Sequence, residues 1–210
     1  GVYSGATSAT LTITAPPVTM SDYLYRAIIT GAAPCAADTS NAVRLTVNPL
    51  PVVVIAADPT RLVPGMTTTI TSTVTPNAVA TGGYVWTRNG AQVGGSTPTL
   101  PVDIDGLGDY QLTVTDVNGC TASSNVVTIA DSASGKCYIY PNPTSGQFQV
   151  RYYSVANNVL PRTLTVYDAK GDRVLTQVYT IGRPYDRMDV DMRKYGKGLY
   201  WVEIGDRNGN

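Results

Sequence analysis

Tyr25, Cys35 and the run Ser40-Asn41-Ala42 return further along the chain as Tyr110, Cys120 and Ser124-Asn125-Val126. The tyrosine and the cysteine stand 10 residues apart in both places, and Thr10-Leu11 is matched by Thr99-Leu100. An internal period of about 85 residues restricts the chain to an architecture in which similar units follow one another. In the first copy, residues 10–13, 22–29 and 41–47 alternate apolar and polar side chains between turn residues, which predicts three strands. The second copy is longer, with strand-like runs at 52–56, 67–75, 83–87, 99–102, 110–115 and 125–129.

Composition points the same way. Gly supplies 20 residues and Pro 14, charged residues are only 14%, and no segment sustains helical spacing of apolar residues for three turns. We therefore expect an all-β chain of two or three units. No apolar run approaches the ~20 residues of a membrane-spanning helix. Formal charge is zero overall, yet the part from Lys136 onward holds 11 Lys/Arg against 7 Asp/Glu, and the part before it 4 against 8. So mild an asymmetry argues against nucleic-acid binding. Histidine is absent, so neither a Ser-His-Asp nor a Cys-His site can be built from these residues. No catalytic residue, cofactor or metal is expected in this region.

In residues 51–130, Trp86 stands where an immunoglobulin-like fold keeps the core tryptophan of its third strand, and Asn89-Gly90 is a strong hairpin signal just after it. Tyr110, and Tyr25 in the first copy, match the tyrosine corner of that fold. The two copies thus resemble tandem bacterial immunoglobulin-like modules, one complete at 51–130. Residues 1–50 contain only the later strands, with no second strand and no core tryptophan. They read as the C-terminal half of a module whose first half comes from outside these residues, upstream or from another molecule.

A third unit, residues 131–210, opens with the polar linker Asp131-Ser132-Ala133-Ser134-Gly135. Strands are predicted at 137–140, 147–153, 162–168, 173–181, 187–192 and 199–205. Between the first two lies Tyr140-Pro141-Asn142-Pro143-Thr144-Ser145-Gly146, where paired prolines force an extended segment and then a turn. Phe148 follows, then Val166-Tyr167-Asp168-Ala169-Lys170-Gly171, then Gly198-Leu199-Tyr200. In this order these motifs resemble the C-terminal sorting domain of type IX secretion substrates, in its type A form. The resemblance marks Tyr140, Pro141, Asn142, Pro143, Gly146, Phe148, Val166, Tyr167, Asp168, Gly171, Gly198 and Tyr200 as sorting-motif residues. It implies a β-sandwich, delivery to the cell surface or medium, and contact with the type IX translocon and an outer-membrane shuttle protein. It further implies cleavage by a cell-surface sortase in or near residues 131–136, with attachment to lipopolysaccharide. Family members continue with one more strand, whereas these residues stop at Arg207-Asn208-Gly209-Asn210, a hairpin signal without its returning strand. The unit is therefore expected to lack its final strand, and with it competence for secretion.

Three further features bear on function. Asp103, Asp105 and Asp109 with intervening glycines resemble a calcium loop superficially, but lack the closing bidentate glutamate and fall at an expected strand-to-strand turn. Cys35 and Cys120 occupy equivalent loops of successive modules, too far apart for a disulfide, and Cys120 and Cys137 are separated by a strand. In the last strand, alternation puts Tyr200, Val202 and Ile204 on one face and Leu199 and Trp201 on the other, and the resemblance implies that Tyr200 faces inward, which leaves Leu199 and Trp201 outside, near Arg193, Lys194 and Lys197. This is a candidate docking surface for another domain or for the export machinery, the alternative being partial burial under a loop.

The sequence therefore reads as tandem immunoglobulin-like β-sandwiches, including a β-sandwich sorting domain. Its function is that of a non-catalytic stalk and sorting region of a large cell-surface protein, adhesive or structural. Two alternatives stand beside it: the stalk and tail of a secreted hydrolase whose catalytic domain lies upstream, and a subunit of an extracellular filament that self-associates through edge strands.

Overall fold

The computed structural model describes residues 1–154 and 160–206. Strand dominates these residues, and the few helical residues lie in two single 3-10 turns, Val18–Met20 and Ile104–Gly106.

Residues 1–50 form three separate two-stranded ladders. β1 (Tyr3–Ser4) pairs with β2 (Thr12–Ile13), β3 (Leu24–Tyr25) with β6 (Val43–Arg44), and β4 (Ile28–Ile29) with β5 (Asp38–Thr39). The three runs expected here hold four short strands, β2, β3, β4 and β6, while β1 and β5 lie outside them. Met20 is the one buried apolar residue of this region among the described residues.

The second unit is a complete sandwich. Its strands are β7 (Val52–Ala56), β8 (Arg61–Leu62), β9 (Thr67–Thr75), β10 (Val79–Arg88), β11 (Ala91–Val93), β12 (Thr99–Asp103), β13 (Gly108–Asp116), β14 (Thr121–Ser123) and β15 (Val127–Asp131). One sheet runs β12-β9-β7 and the other β11-β10-β13-β15-β8. That is the strand arrangement of an immunoglobulin-like sandwich. Along β9, Thr68 and Ile70 are buried while Thr67, Thr69 and Thr71 face water, the period-2 pattern of a half-buried strand. Trp86 is fully enclosed, its indole N–H donating to Thr97 O at 2.8 Å.

The junction with the third unit differs from the expectation. β15 continues through Asp131 because it pairs in parallel with β8, and Ser132 N donates to Leu62 O at 2.8 Å. The linker therefore shrinks to the residues after Ser132. The sequence signals for β8 and β14 are weak, because strands of two or three residues carry no measurable alternation.

The third unit stacks two three-stranded sheets, β16-β17-β20 on β19-β18-β21. The ranges are β16 (Cys137–Tyr140), β17 (Gln147–Tyr152), β18 (Leu160–Asp168), β19 (Arg173–Ile181), β20 (Met188–Asp191) and β21 (Tyr200–Asp206). Phe148, Val150, Leu164, Val166, Ile181, Met188, Val190 and Met192 make its core. The unpaired Asn208-Gly209 signal lies outside the described residues.

Candidate functional site

Tyr140 closes β16 opposite Gln149, and Pro141, Asn142 and Pro143 are exposed beyond it. The turn is tied at its end: Thr144 Oγ1 donates to Gln147 O (2.6 Å) and accepts from Gly146 N (3.0 Å). Gly146 takes φ +115°, a left-handed value that favours glycine, and a Cβ there would stand 3.1 Å from Arg193 Cα. Its carbonyl accepts from Met192 N, so the signature turn is fastened to the end of β20. A hollow of about 380 Å³ opens beside it, lined among others by Tyr140, Pro141, Gln147, Gln149, Arg187 and Asp189.

The other motif residues divide by role. Phe148 and Val166 are core. Asp168 builds the β18–β19 hairpin: its Oδ1 accepts from Lys170 N (2.9 Å) and Asp172 N (3.0 Å), while Gly171 at φ +88° donates to Asp168 O. Tyr200 turns inward and donates to Gly196 O at 2.6 Å. Gly198 has space around its Cα, with Tyr200 Cε2 4.0 Å from a built Cβ.

Trp201 lies outside, 63% exposed, and Leu199 beside it is equally open. Trp201 is registered opposite Tyr167, which is registered opposite Arg173, giving an Arg-Tyr-Trp rung across β19, β18 and β21. Tyr167 donates to Glu203 Oε2 at 2.8 Å on the same outer face. The basic residues expected nearby each have their own surroundings. Arg193 is held by both oxygens of Asp191, whose carboxyl the guanidinium draws down to about 2. Lys194 Nζ sits 5.3 Å from the Tyr195 ring centroid, and Lys197 is exposed.

The third unit is seated on the second through contacts that the sequence did not announce. Arg151, its side chain 3% exposed, forms a two-pronged ion pair with Asp105, Nη1 to Oδ1 at 2.7 Å and Nη2 to Oδ2 at 2.8 Å. Arg151 Nη1 also donates to Tyr185 O, and Nε to Gln149 Oε1. Tyr185, 1% exposed, packs into the core of the second unit, edge-on to Tyr138 and Tyr153, and donates to Ser132 O at 2.7 Å. It adopts φ +59°, which for a bulky residue costs about 1–3 kcal/mol and persists because the surrounding contacts hold it. Arg151 holds the Asp105 carboxyl below its ordinary range.

These contacts redistribute the calcium-like loop. Asp103 caps the 3-10 turn by accepting from Asp105 N, Asp105 faces Arg151, and Asp109 accepts from Thr128. The three carboxylates diverge to separate partners. Cys35, Cys120 and Cys137 are free thiols.

Residues 138–210 match the family model described as secretion system C-terminal sorting domain. No curated protein matches the sequence. Among solved structures, the three N-terminal domains of the bacteriophage RB49 highly immunogenic outer capsid protein align at 17% identity and TM-score 0.37, over 75% of this chain and 55% of that one. The N-terminal four immunoglobulin domains of Dscam1 align at 21% identity and TM-score 0.33, over 60% of this chain and 31% of that one. A carbohydrate-binding module of the β-sandwich superfamily aligns at 11% identity and TM-score 0.33, covering 76% and 97%. The chain thus spans about half, or less, of the length of the first two. Residues 138–210 are a C-terminal sorting domain of the type IX secretion system, carried on an immunoglobulin-like β-sandwich.

Proposed function

We propose that this region is a non-catalytic stalk and sorting element that delivers a larger protein to the cell surface, where the product acts as an adhesive or structural component. The observation that carries the reading is the sorting-domain match over residues 138–210, joined to a sandwich fold with no histidine. On this reading the translocon and shuttle protein meet the sorting domain at its outer faces. The exposed signature turn, the hollow beside it and the Arg173-Tyr167-Trp201 rung with Leu199 favour that role. Sortase cleavage and transfer to lipopolysaccharide would fall in residues 133–136, the part of the linker not hydrogen-bonded into the module.

Deleting residues 138–210 from the native gene tests the export reading by cell fractionation. The product is expected to stay in the periplasm, and unchanged surface delivery would overturn the proposal. Trp201→Ala tests the docking rung separately: slower export at an unchanged melting temperature is expected. Equal export rates would remove the rung from the interface.

A further inference from the structure

Residues 133–136 bridge the second and third units, and both ends of this bridge are fastened by one residue, Tyr185. At the near end, Ser132 N donates to Leu62 O at 2.8 Å, and Ser132 O accepts from the Tyr185 hydroxyl at 2.7 Å. At the far end, Cys137 is registered opposite Tyr152, whose carbonyl accepts from Tyr185 N at 3.1 Å. The bridge is also folded on itself. Ser134 Oγ accepts from Lys136 N at 3.2 Å and from the Tyr138 hydroxyl at 3.1 Å, and the Tyr138 ring stands edge-on to that of Tyr185.

The ion pair between the units keeps Tyr185 in this position. Arg151 Nη1 donates to Tyr185 O at 3.1 Å while the same guanidinium grips Asp105 of the second unit. Phe148 and Val150 of β17 face the core of the third unit, so Arg151 between them in parity lies on the side turned towards the second. Separating the units therefore returns Arg151 to water. It also frees Tyr185 from its positive φ of +59°, a conformation that only the surrounding contacts maintain. Removing Asp105 alone has the same tendency, because it leaves a guanidinium that is 3% exposed without its counter-charge.

We propose that Tyr185 is a latch that closes the linker to proteolysis, and that separation of Asp105 from Arg151 is the step that opens it. A protease draws the chain on both sides of the cut bond into its cleft as an extended strand, in the manner of strand addition. A four-residue bridge pinned at both ends cannot supply that strand, even though Ala133, Gly135 and Lys136 face water. The cut then falls only on a sorting domain that has left its seat. Its part in processing rests on the reading of residues 133–136 as the cleavage site; the latch itself does not, and a protease foreign to the export pathway tests it alone.

That probe is a lysine-specific endoprotease acting on the folded 210-residue chain, with fragments timed by mass spectrometry. Lys136 reports the linker, and Lys170, exposed in the β18–β19 turn, serves as the internal reference. Asp105→Ala should speed cleavage after Lys136, relative to Lys170, by about tenfold or more, since proteolysis follows the population of the open form. Asp105 gives its own turn only backbone groups, so this truncation leaves the second unit folded. Tyr185→Phe keeps the ring and removes the bond to Ser132, and should act in the same direction by a smaller factor. Unchanged cleavage after Lys136 in Asp105→Ala would overturn the proposal. Equal acceleration after Lys136 and Lys170 in both variants would overturn it too, because cleavage would then follow loss of the fold and not release of a latch.

Discussion

Residues 23–45 and 108–129 share hydrogen-bond register and the same serine crossover, yet one hairpin is wrapped in a core and the other faces water. The difference separates two things usually learned together. Register is set locally, by alternation and by the Ser-Asn pair that ends the crossover. Burial is set by β7, β9 and β10, strands that lie tens of residues away and for which the first hairpin has no counterpart among the described residues. Local sequence alone suffices to write the hairpin, and distant sequence decides whether it is held.

The contrast can be broken with one truncation in each hairpin. Leu112→Ala in the wrapped hairpin should cost about 2–5 kcal/mol in denaturant unfolding, because a fully buried leucine leaves a cavity. Ile29→Ala in the open hairpin should stay within about 0.5 kcal/mol, the range of surface substitutions. A large loss at Ile29 would mean that this hairpin is covered. A smaller effect separates the two asparagines. Asn125→Ala should cost about 1–2 kcal/mol by freeing the backbone of Ile55, whereas Asn41→Ala should leave stability unchanged.

The tyrosines sharpen the comparison further. Tyr110 makes the tyrosine corner by donating to Gly106 O, while Tyr25, its copy, bonds instead to the hydroxyl of Tyr3 at 2.8 Å. Tyr110→Phe should cost about 1 kcal/mol and Tyr25→Phe only a few tenths, read from the same unfolding curves. The smallest effect is electrostatic. The Tyr3 hydroxyl raises Tyr25 from 10.0 to about 12. A raised folded value means that the bond stabilises fully below the ordinary tyrosine range and is lost as pH climbs through about 12. Absorbance titration should show the late-titrating tyrosine component lose one member in Tyr3→Phe as Tyr25 moves back towards 10, and no change would assign the late titration elsewhere.

Much of the fold was legible because its signals are local. The 85-residue period, Trp86 within its strand, the Asn89-Gly90 turn and the Tyr110 corner each depend on residues close in sequence, and the structure contains all of them. Alternation put Tyr200 and Trp201 on opposite faces, and the resemblance to the sorting domain said which face turns inward. Tyr25 did not form its expected corner; its hydroxyl bonds to that of Tyr3. The seating of the sorting domain was not legible. Asp105 and Arg151 are 46 residues apart, Arg151 reads as one more outward residue of β17, and no pattern announces that Tyr185 leaves its own unit for the core of another. The extension of β15 through Asp131 likewise rests on a two-residue parallel partner, Arg61–Leu62.

Amide hydrogen exchange on the 210-residue chain tests the central contrast most directly, because it reads both hairpins in one sample. The amides of Leu112 and Ser124 should exchange only with unfolding of the sandwich, and those of Ala27 and Ser40, bonded in the same pattern, orders of magnitude faster. Equal protection of the two pairs would contradict the account, because it would show that the shared local pattern is enough to hold the hairpin without a core.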